Sequence, residues 1–336
     1  MNHPRFDILL EPSPLRPAKA LSEKLGISLW LKRDDLTEPS FGGNKSRQLE
    51  YYFGAAIAEN ADTILITGAV QSNFVRLAAA IAKSLGMHAV AQLEHRVKTD
   101  DVTYKRSGNV LLDALLGAEI LEYPEGEDEA GADQALYARA AELRAEGRRP
   151  YVIPLSENHP PLGALGYVNA AKEILAAKHD FDVFVVASGS GATHSGLLSG
   201  LRGQGCSAKV IGSCVRRPAQ LQTSRIKRIV DRLGELYEGA HRVAADDIDL
   251  WDGALAPGYG QIGASALDAM KLMAQSEGIF LDPVYTAKSF AGIPALVADG
   301  KIPKGASVCF VHTGGLAGLF GYSDILTDML GSPLSI

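Results

Sequence analysis

Asp182-Val183-Phe184-Val185-Val186-Ala187-Ser188-Gly189-Ser190-Gly191-Ala192-Thr193 is an apolar run of strand length that breaks into glycine and serine. An unbroken apolar strand is buried on both faces, as in a parallel sheet. The loop after it offers backbone amides, hydroxyls and a helix N-terminus, the ingredients of an anion cradle. Ala192-Thr193 stand where a nucleoside-triphosphate loop needs lysine, and glycines 189, 191 and 196 miss the G-x-G-x-x-G spacing. A phosphate monoester on a larger cofactor suits this loop better than ATP or NAD. The plain alternative is a tight strand-to-helix turn.

The same alternation runs through the chain on both sides of this element. Strand-like stretches at 27–33, 63–67, 88–93, 151–154, 182–187, 210–215 and 308–311 are separated by helical periodicity at 18–25, from 46, from 72, at 109–116, from 163 and at 219–233. This predicts an α/β fold of mostly parallel sheets flanked by helices. Residues 124–150 are polar and alanine-rich, and read as a loop and an exposed helix. Five polar or glycine-rich loops follow predicted strands, at 40–47, 71–73, 188–193, 282–286 and 312–315. In open α/β sheets, ligands collect at the carboxyl ends of strands.

One of these loops carries a lysine, in Gly42-Gly43-Asn44-Lys45. Lys45 falls at a helix start, where the helix dipole disfavours a cation. That field and burial both lower an amine's pKa and free it for Schiff-base chemistry. A surface lysine after a glycine pair is the bland alternative. Lys45 together with a phosphate cradle at Ser188, Gly189, Ser190, Gly191, Ala192 and Thr193 points to pyridoxal 5′-phosphate. The other loops then have work to do. Asn73 is expected on the cofactor's phenolic oxygen, and Ser72 on the substrate carboxylate or on a proton. Tyr285 and Tyr259 face the substrate, and Thr286 or Thr313 reaches the pyridine nitrogen. Taken singly, Ser72 and Asn73 are equally good helix caps and the tyrosines ordinary packing. His194 and His312 read as structural.

Composition narrows the classes. A chain of 336 residues, 46% hydrophobic, can bury a substantial core in one or two domains. A net charge of −6 without a basic run argues against nucleic acid. No apolar stretch reaches the ~20 residues that span a bilayer, and the first residues lack a secretory apolar core. Three scattered cysteines fit a reducing, cytoplasmic setting and no disulfide framework or metal knuckle.

The sequence resembles the 1-aminocyclopropane-1-carboxylate deaminase / D-cysteine desulfhydrase family of fold-type II pyridoxal-phosphate enzymes. The resemblance lies in Lys32-Arg33-Asp34-Asp35, Gly42-Gly43-Asn44-Lys45, Gln71-Ser72-Asn73, Gly108-Asn109, Gly163-Ala164-Leu165-Gly166-Tyr167-Val168, the 188–193 loop, Gly258-Tyr259, Leu281-Asp282-Pro283-Val284-Tyr285 and His312-Thr313-Gly314-Gly315. These stretches follow the family's order over nearly the whole chain. The resemblance implies Lys45 as the Schiff-base lysine, a homodimer, and a larger cofactor domain (1–51 and 165–336) with a smaller domain (52–164) inserted. In the ring-opening deaminases a glutamate follows the active-site tyrosine and keeps the pyridine nitrogen protonated; here that position is Thr286. A neutral hydroxyl cannot stabilise a pyridinium as a carboxylate does. This favours elimination from the β-carbon of a small amino acid such as D-cysteine. The deaminase and L-cysteate sulfo-lyase reactions are the alternatives on the same scaffold, and a non-catalytic amino-acid binding protein is the alternative from another class. The chain departs from the family at Phe74, where a polar residue is usual, and at 155–159. Substrate contacts are expected at Gln71, Ser72, Asn73, Phe74, Asn158, Tyr259 and Tyr285.

Overall fold

The computed structural model describes residues 3–331, which form two compact units. One takes the chain up to Ala58 together with Glu157–Gly314, the other Glu59–Ser156 and the described chain from Gly315. The chain after Gly314 therefore belongs with the smaller unit, where the sequence reading left it in the larger one. The boundaries near 58 and 156 also sit several residues from 51 and 165.

The first unit is built on a six-stranded sheet. Its strands lie in the order Leu15–Pro17, Ser28–Arg33, Ser307–His312, Val183–Ser188, Lys209–Cys214, Asp249–Trp251. All neighbours are parallel except the first pair. Val183, Phe184, Val185 and Val186 are all buried, because helices cover both faces. One face packs on Leu29, Leu31, Phe290 and Phe310, the other on Tyr167, Leu197, Leu198 and Val311. The helices Ala164–Ala177 and Ala192–Gly203 approach closely on that second face. A side chain at Gly196 would strike the Ala164 carbonyl, so only glycine lets the two backbones come this near. Parallel pairing aligns the carboxyl ends of Arg33, His312, Ser188 and Cys214 along one edge of the sheet.

The smaller unit has a four-stranded parallel sheet in the order Glu119–Tyr123, His88–Glu94, Thr63–Ala69, Pro150–Ile153. The helix Glu129–Ala145, expected to be exposed, buries one stripe instead. Ala132, Leu136, Ala140 and Leu143 are covered, and the last three pack on Leu65, Val90 and Val152. The two parallel sheets with their flanking helices are those the alternation predicts.

A buried ion cluster lies behind the first-unit edge. Asp34 accepts two hydrogen bonds from Arg47, at 2.9 and 3.0 Å, and one from Ser13 at 2.6 Å, and Tyr167 also bonds it. Arg47 and Lys32 share Glu173. Burial opposes the charge on Asp34, but the Arg47 and Lys32 charges outweigh it and hold the carboxyl below its ordinary range.

Candidate active site

In the first unit, Lys45 stands where two strand ends meet a helix start. The Gly43 amide donates to the Asp34 carbonyl at 3.0 Å, and the Asn44 amide to the Thr313 carbonyl at 3.0 Å. Gly43 has φ +112°, and a side chain there would press on the Thr313 carbonyl. The chain thus needs glycine to enter the helix Asn44–Ala58. Lys45 Nζ donates to Gln48 Oε1 at 3.1 Å, one helical turn on. Gln48 Nε2 in turn donates to Thr193 Oγ1 at 2.8 Å, and Asn44 Nδ2 to the same oxygen at 2.7 Å. Lys45 is therefore tied to the 188–193 loop through Gln48. Burial holds its ammonium down to about 8. Below that pH the amine carries a proton and cannot attack an aldehyde; above it the amine is free. Capture of pyridoxal phosphate by the apoprotein should accelerate as pH rises from 6.5 and level off above about 8. Stopped-flow absorbance of cofactor attachment measures this, and a pH-independent rate would contradict it.

The 188–193 loop is shaped from behind. Gln222 Nε2 donates to the Gly189 carbonyl at 3.0 Å, Arg217 donates to the same carbonyl at 3.3 Å, and Arg225 Nε to the Ser190 carbonyl at 2.6 Å. In a planar trans peptide the N–H points opposite the C=O. The amides of Ser190 and Gly191 are therefore turned away from those side chains. Gly191 has φ +103° and caps the helix Ala192–Gly203, whose first amides have no intrahelical acceptor. Such a run of convergent amides suits a phosphate dianion. Ser188 is fully buried and serves the underside of the loop. Its hydroxyl lies 3.1 Å from His194 Nδ1 and accepts from Gln222 at 3.0 Å. Burial lowers His194 to about 4, so it is neutral at ordinary pH.

Two tyrosines form a pair elsewhere in the unit. Tyr259 Oη lies 2.5 Å from Tyr285 Oη, with the rings edge to face. The guanidinium of Arg216 sits 5.9 Å from the centre of the Tyr259 ring. Lys288 holds the segment that carries Tyr259, donating to the carbonyls of Leu255 at 3.1 Å and Gly258 at 2.5 Å. Thr286 is fully buried, and its one hydroxyl proton goes to Asp282 Oδ1 at 2.7 Å. The same hydroxyl accepts from the Asp282 amide at 2.7 Å. Asp282 also caps the helix Thr286–Ala298 through the amides of Val284, Tyr285 and Thr286. No hydrogen bond of the Thr313 hydroxyl joins it to another described residue, while its carbonyl supports Asn44. Asn158 is exposed in the loop before the helix Ala164–Ala177.

The smaller unit carries Gln71, Ser72, Asn73 and Phe74 at the end of the strand Thr63–Ala69. Ser72 caps the helix Asn73–Ser84, accepting from the Val75 amide. Gln71 uses its side-chain amide on the backbone, donating to the Tyr104 and Ser107 carbonyls and accepting from the Asn109 amide. Phe74 is buried. Asn73 is partly exposed; its Oδ1 accepts from Asn109 Nδ2 at 3.1 Å and from Arg76 at 3.4 Å. Its Nδ2 donates to no described residue and remains a donor, the polarity that a phenolate oxygen requires.

Within the first unit, a buried amine of lowered pKa tied to a loop of outward amides is what an aldehyde-bearing phosphate ester requires. Sequence comparison agrees: the profile of the family described as pyridoxal-phosphate dependent enzyme matches residues 7–314. The chain belongs to that family, and pyridoxal phosphate is its cofactor. Among its relatives, the D-cysteine desulfhydrase of Yersinia pestis (strain Pestoides F) is 39% identical over 322 residues, covering 95% of this chain and 96% of that protein. The D-cysteine desulfhydrase of Salmonella choleraesuis (strain SC-B67) is also 39% identical, over 323 residues and the same shares of both chains. A crystal structure of an ACC deaminase homologue superposes with a TM-score of 0.86 at 34% identity, covering 98% of this chain and 97% of that one. O-ureido-L-serine synthase, at 18% identity and a TM-score of 0.70, shares the fold. The expectations of a pyridoxal-phosphate enzyme and of a lyase are met.

Several residues with clear work were not singled out from the sequence. Gln48 lies three positions after Lys45, a spacing that places it on the same helix face. Gln222, Arg225 and Lys288 carry no local signal, since each acts on a backbone carbonyl distant in sequence.

Proposed function

We propose that the chain catalyses α,β-elimination of D-cysteine, giving pyruvate, ammonia and sulfide. The observation that carries this reading is the Asp282–Thr286 turn. The residue after Tyr285 is a neutral hydroxyl, and its only proton is already given to Asp282. No carboxylate stands at that position to keep a pyridine nitrogen protonated. Opening a cyclopropane ring, which has no ordinary α-proton to remove, depends heavily on that protonation; expelling a thiolate from Cβ depends on it less. The D-cysteine desulfhydrase relatives support the same branch.

Pyridoxal phosphate, when bound, supplies the electron sink. The chain's own residues supply the rest. Lys45 would hold the cofactor's aldehyde carbon through Nζ and, as a free amine, would accept the proton from Cα. Amides of the 188–193 loop bind the phosphate, and Asn73 Nδ2 donates to the phenolic oxygen. Thr313, with its hydroxyl uncommitted among the described residues, is the hydroxyl on offer to the pyridine nitrogen. Ser72 orients the substrate carboxylate, and the Tyr259–Tyr285 pair passes a proton to the departing sulfur. The Cα–H and Cβ–S bonds break, sulfur leaves as hydrogen sulfide, and hydrolysis of the remaining three-carbon unit gives pyruvate and ammonia. A cytoplasmic homodimer is part of the proposal, supported by the family resemblance and the scattered cysteines.

Incubation of the holoenzyme with D-cysteine, L-cysteine, L-cysteate and 1-aminocyclopropane-1-carboxylate tests the reading. D-cysteine should give pyruvate with the highest kcat/KM. Dominant 2-oxobutyrate from the cyclopropane acid would overturn it, and dominant turnover of L-cysteate would reassign the leaving group to sulfite.

A further inference from the structure

The smaller unit contains a buried polar chain that the reaction outlined above does not use. Arg76 is fully buried, and its Nε donates to Asn109 Oδ1 at 2.8 Å. Asn109 is also fully buried; its Nδ2 donates to the Gln71 carbonyl at 3.2 Å and to Asn73 Oδ1 at 3.1 Å. Arg76 also reaches Asn73 Oδ1 directly, at 3.4 Å. The chemistry of the two ends dictates which way round the amides stand. A guanidinium only donates, and a peptide carbonyl only accepts. Asn109 must therefore turn Oδ1 to Arg76 and Nδ2 to Gln71. That places an N–H donor against Asn73, which must answer with Oδ1 and leave Nδ2 outward. Reversing the Asn73 amide would set donor against donor at both contacts.

A guanidinium buried this deeply needs a counter-charge nearby. Asp113, one helical turn after Asn109, is fully buried, and neither of its oxygens has a hydrogen-bond partner among the described residues. Among the described residues its charged influence is Arg76, and the influence is mutual, but burial outweighs it at both, raising the Asp113 carboxyl to about 7 and lowering the Arg76 guanidinium to about 10. Asp113 thus acts on Arg76 through its field rather than through a contact, and only in its ionised form. This arrangement leaves unused hydrogen-bonding capacity buried at both groups, which is costly in a core.

We propose that Arg76 is a positioning residue which, through Asn109, fixes the orientation of the Asn73 amide and so holds Asn73 Nδ2 as a donor toward the phenolic oxygen of pyridoxal phosphate. The proposal rests on the reading of Asn73 given above.

The test is a double-mutant cycle on cofactor affinity, read by titrating apoprotein with pyridoxal phosphate. Arg76→Met should weaken binding on the order of ten-fold, and Arg76→Lys, which keeps a donor-only cation, should recover most of the loss. In an Asn73→Ala background, Arg76→Met should have no further effect. Asn109→Asp is the second arm. It keeps a partner for Arg76 but replaces the donor facing Asn73 with an acceptor. It should weaken binding as Arg76→Met does, and shift the Asn73 side-chain amide resonance of 15N-asparagine-labelled apoprotein. If Arg76→Met weakens binding equally with and without Asn73, Arg76 acts on the fold and the proposal fails. If Asn73→Ala binds pyridoxal phosphate like the unaltered chain, the reading of Asn73 fails and takes the proposal with it. An Asn73 resonance unmoved by Asn109→Asp would overturn the orientation argument whatever the cofactor does.

Discussion

Lys45→Ala is expected to lower turnover by roughly four orders of magnitude or more while leaving the fold intact. Under the proposed mechanism two roles are lost together: the amine that holds the cofactor and the base that takes the α-proton. General base catalysis alone is worth about 10²–10⁴-fold, and the covalent role adds to it. The fold should survive because the helix that carries Lys45 is fastened by other groups. Leu49, Phe53 and Ala56 bury that helix's apolar stripe, and Arg47 anchors its first turn. Steady-state assay with D-cysteine and a thermal melt of the apoprotein measure the two effects separately. Retention of a tenth of the activity would contradict the assignment. A variant that melts far below the parent would show that Lys45 carries a structural load absent from its hydrogen bonding.

The largest expected effect on stability belongs to Asp34→Ala. Asp34 is fully buried and bonds Arg47, Ser13 and Tyr167. Removing its carboxylate leaves a buried guanidinium with Glu173 alone, and Glu173 is already shared with Lys32. Breaking a buried ion pair from one side costs about 3–5 kcal/mol, and the hydroxyl protons of Ser13 and Tyr167, left without their acceptor, add to that. Chemical denaturation of apoprotein should show a loss in this range. The same change loosens the strand end whose carbonyl receives the Gly43 amide, so cofactor binding should weaken as well. A loss below 1 kcal/mol would mean that the cluster relaxes around the gap.

Much of this was legible in the chain because the strands of parallel sheets are short apolar runs with glycine-rich ends. Val183–Ser188 and its loop, Thr63–Ala69 and Ser307–His312 were all visible in that way. The strand Glu119–Tyr123 was not, because it is an edge strand of alternating half-buried and exposed residues with two glutamates. The helix Glu129–Ala145 reads as exposed in the sequence because its buried stripe is built largely from alanine and leucine amid charges, which dilutes the pattern. The membership of the chain after Gly314 rests on tertiary contacts that no local periodicity records. The site divides along the same line. Lys45 and the 188–193 loop announce themselves by glycine and position. Gln48 meets Thr193 across 145 positions, and Arg76 meets Asn109 across 33, so neither link has a local signature. Thr286 was visible as a departure from the family, but only the structure commits its hydroxyl to Asp282.

Lys45 as the lysine that holds pyridoxal phosphate is the centre of this account. Lys288 offers the sharpest contrast, since burial brings its ammonium down to about 8 as well. Lys288, however, spends its protons on the carbonyls of Leu255 and Gly258, whereas Lys45 is linked through Gln48 to the 188–193 loop. Borohydride reduction of the holoenzyme, followed by proteolysis and mass spectrometry, locates the lysine that carries the cofactor. The phosphopyridoxyl group should appear on the peptide containing Lys45 and on no other. Its appearance on Lys288, or on another lysine with Lys45 unmodified, would contradict the account.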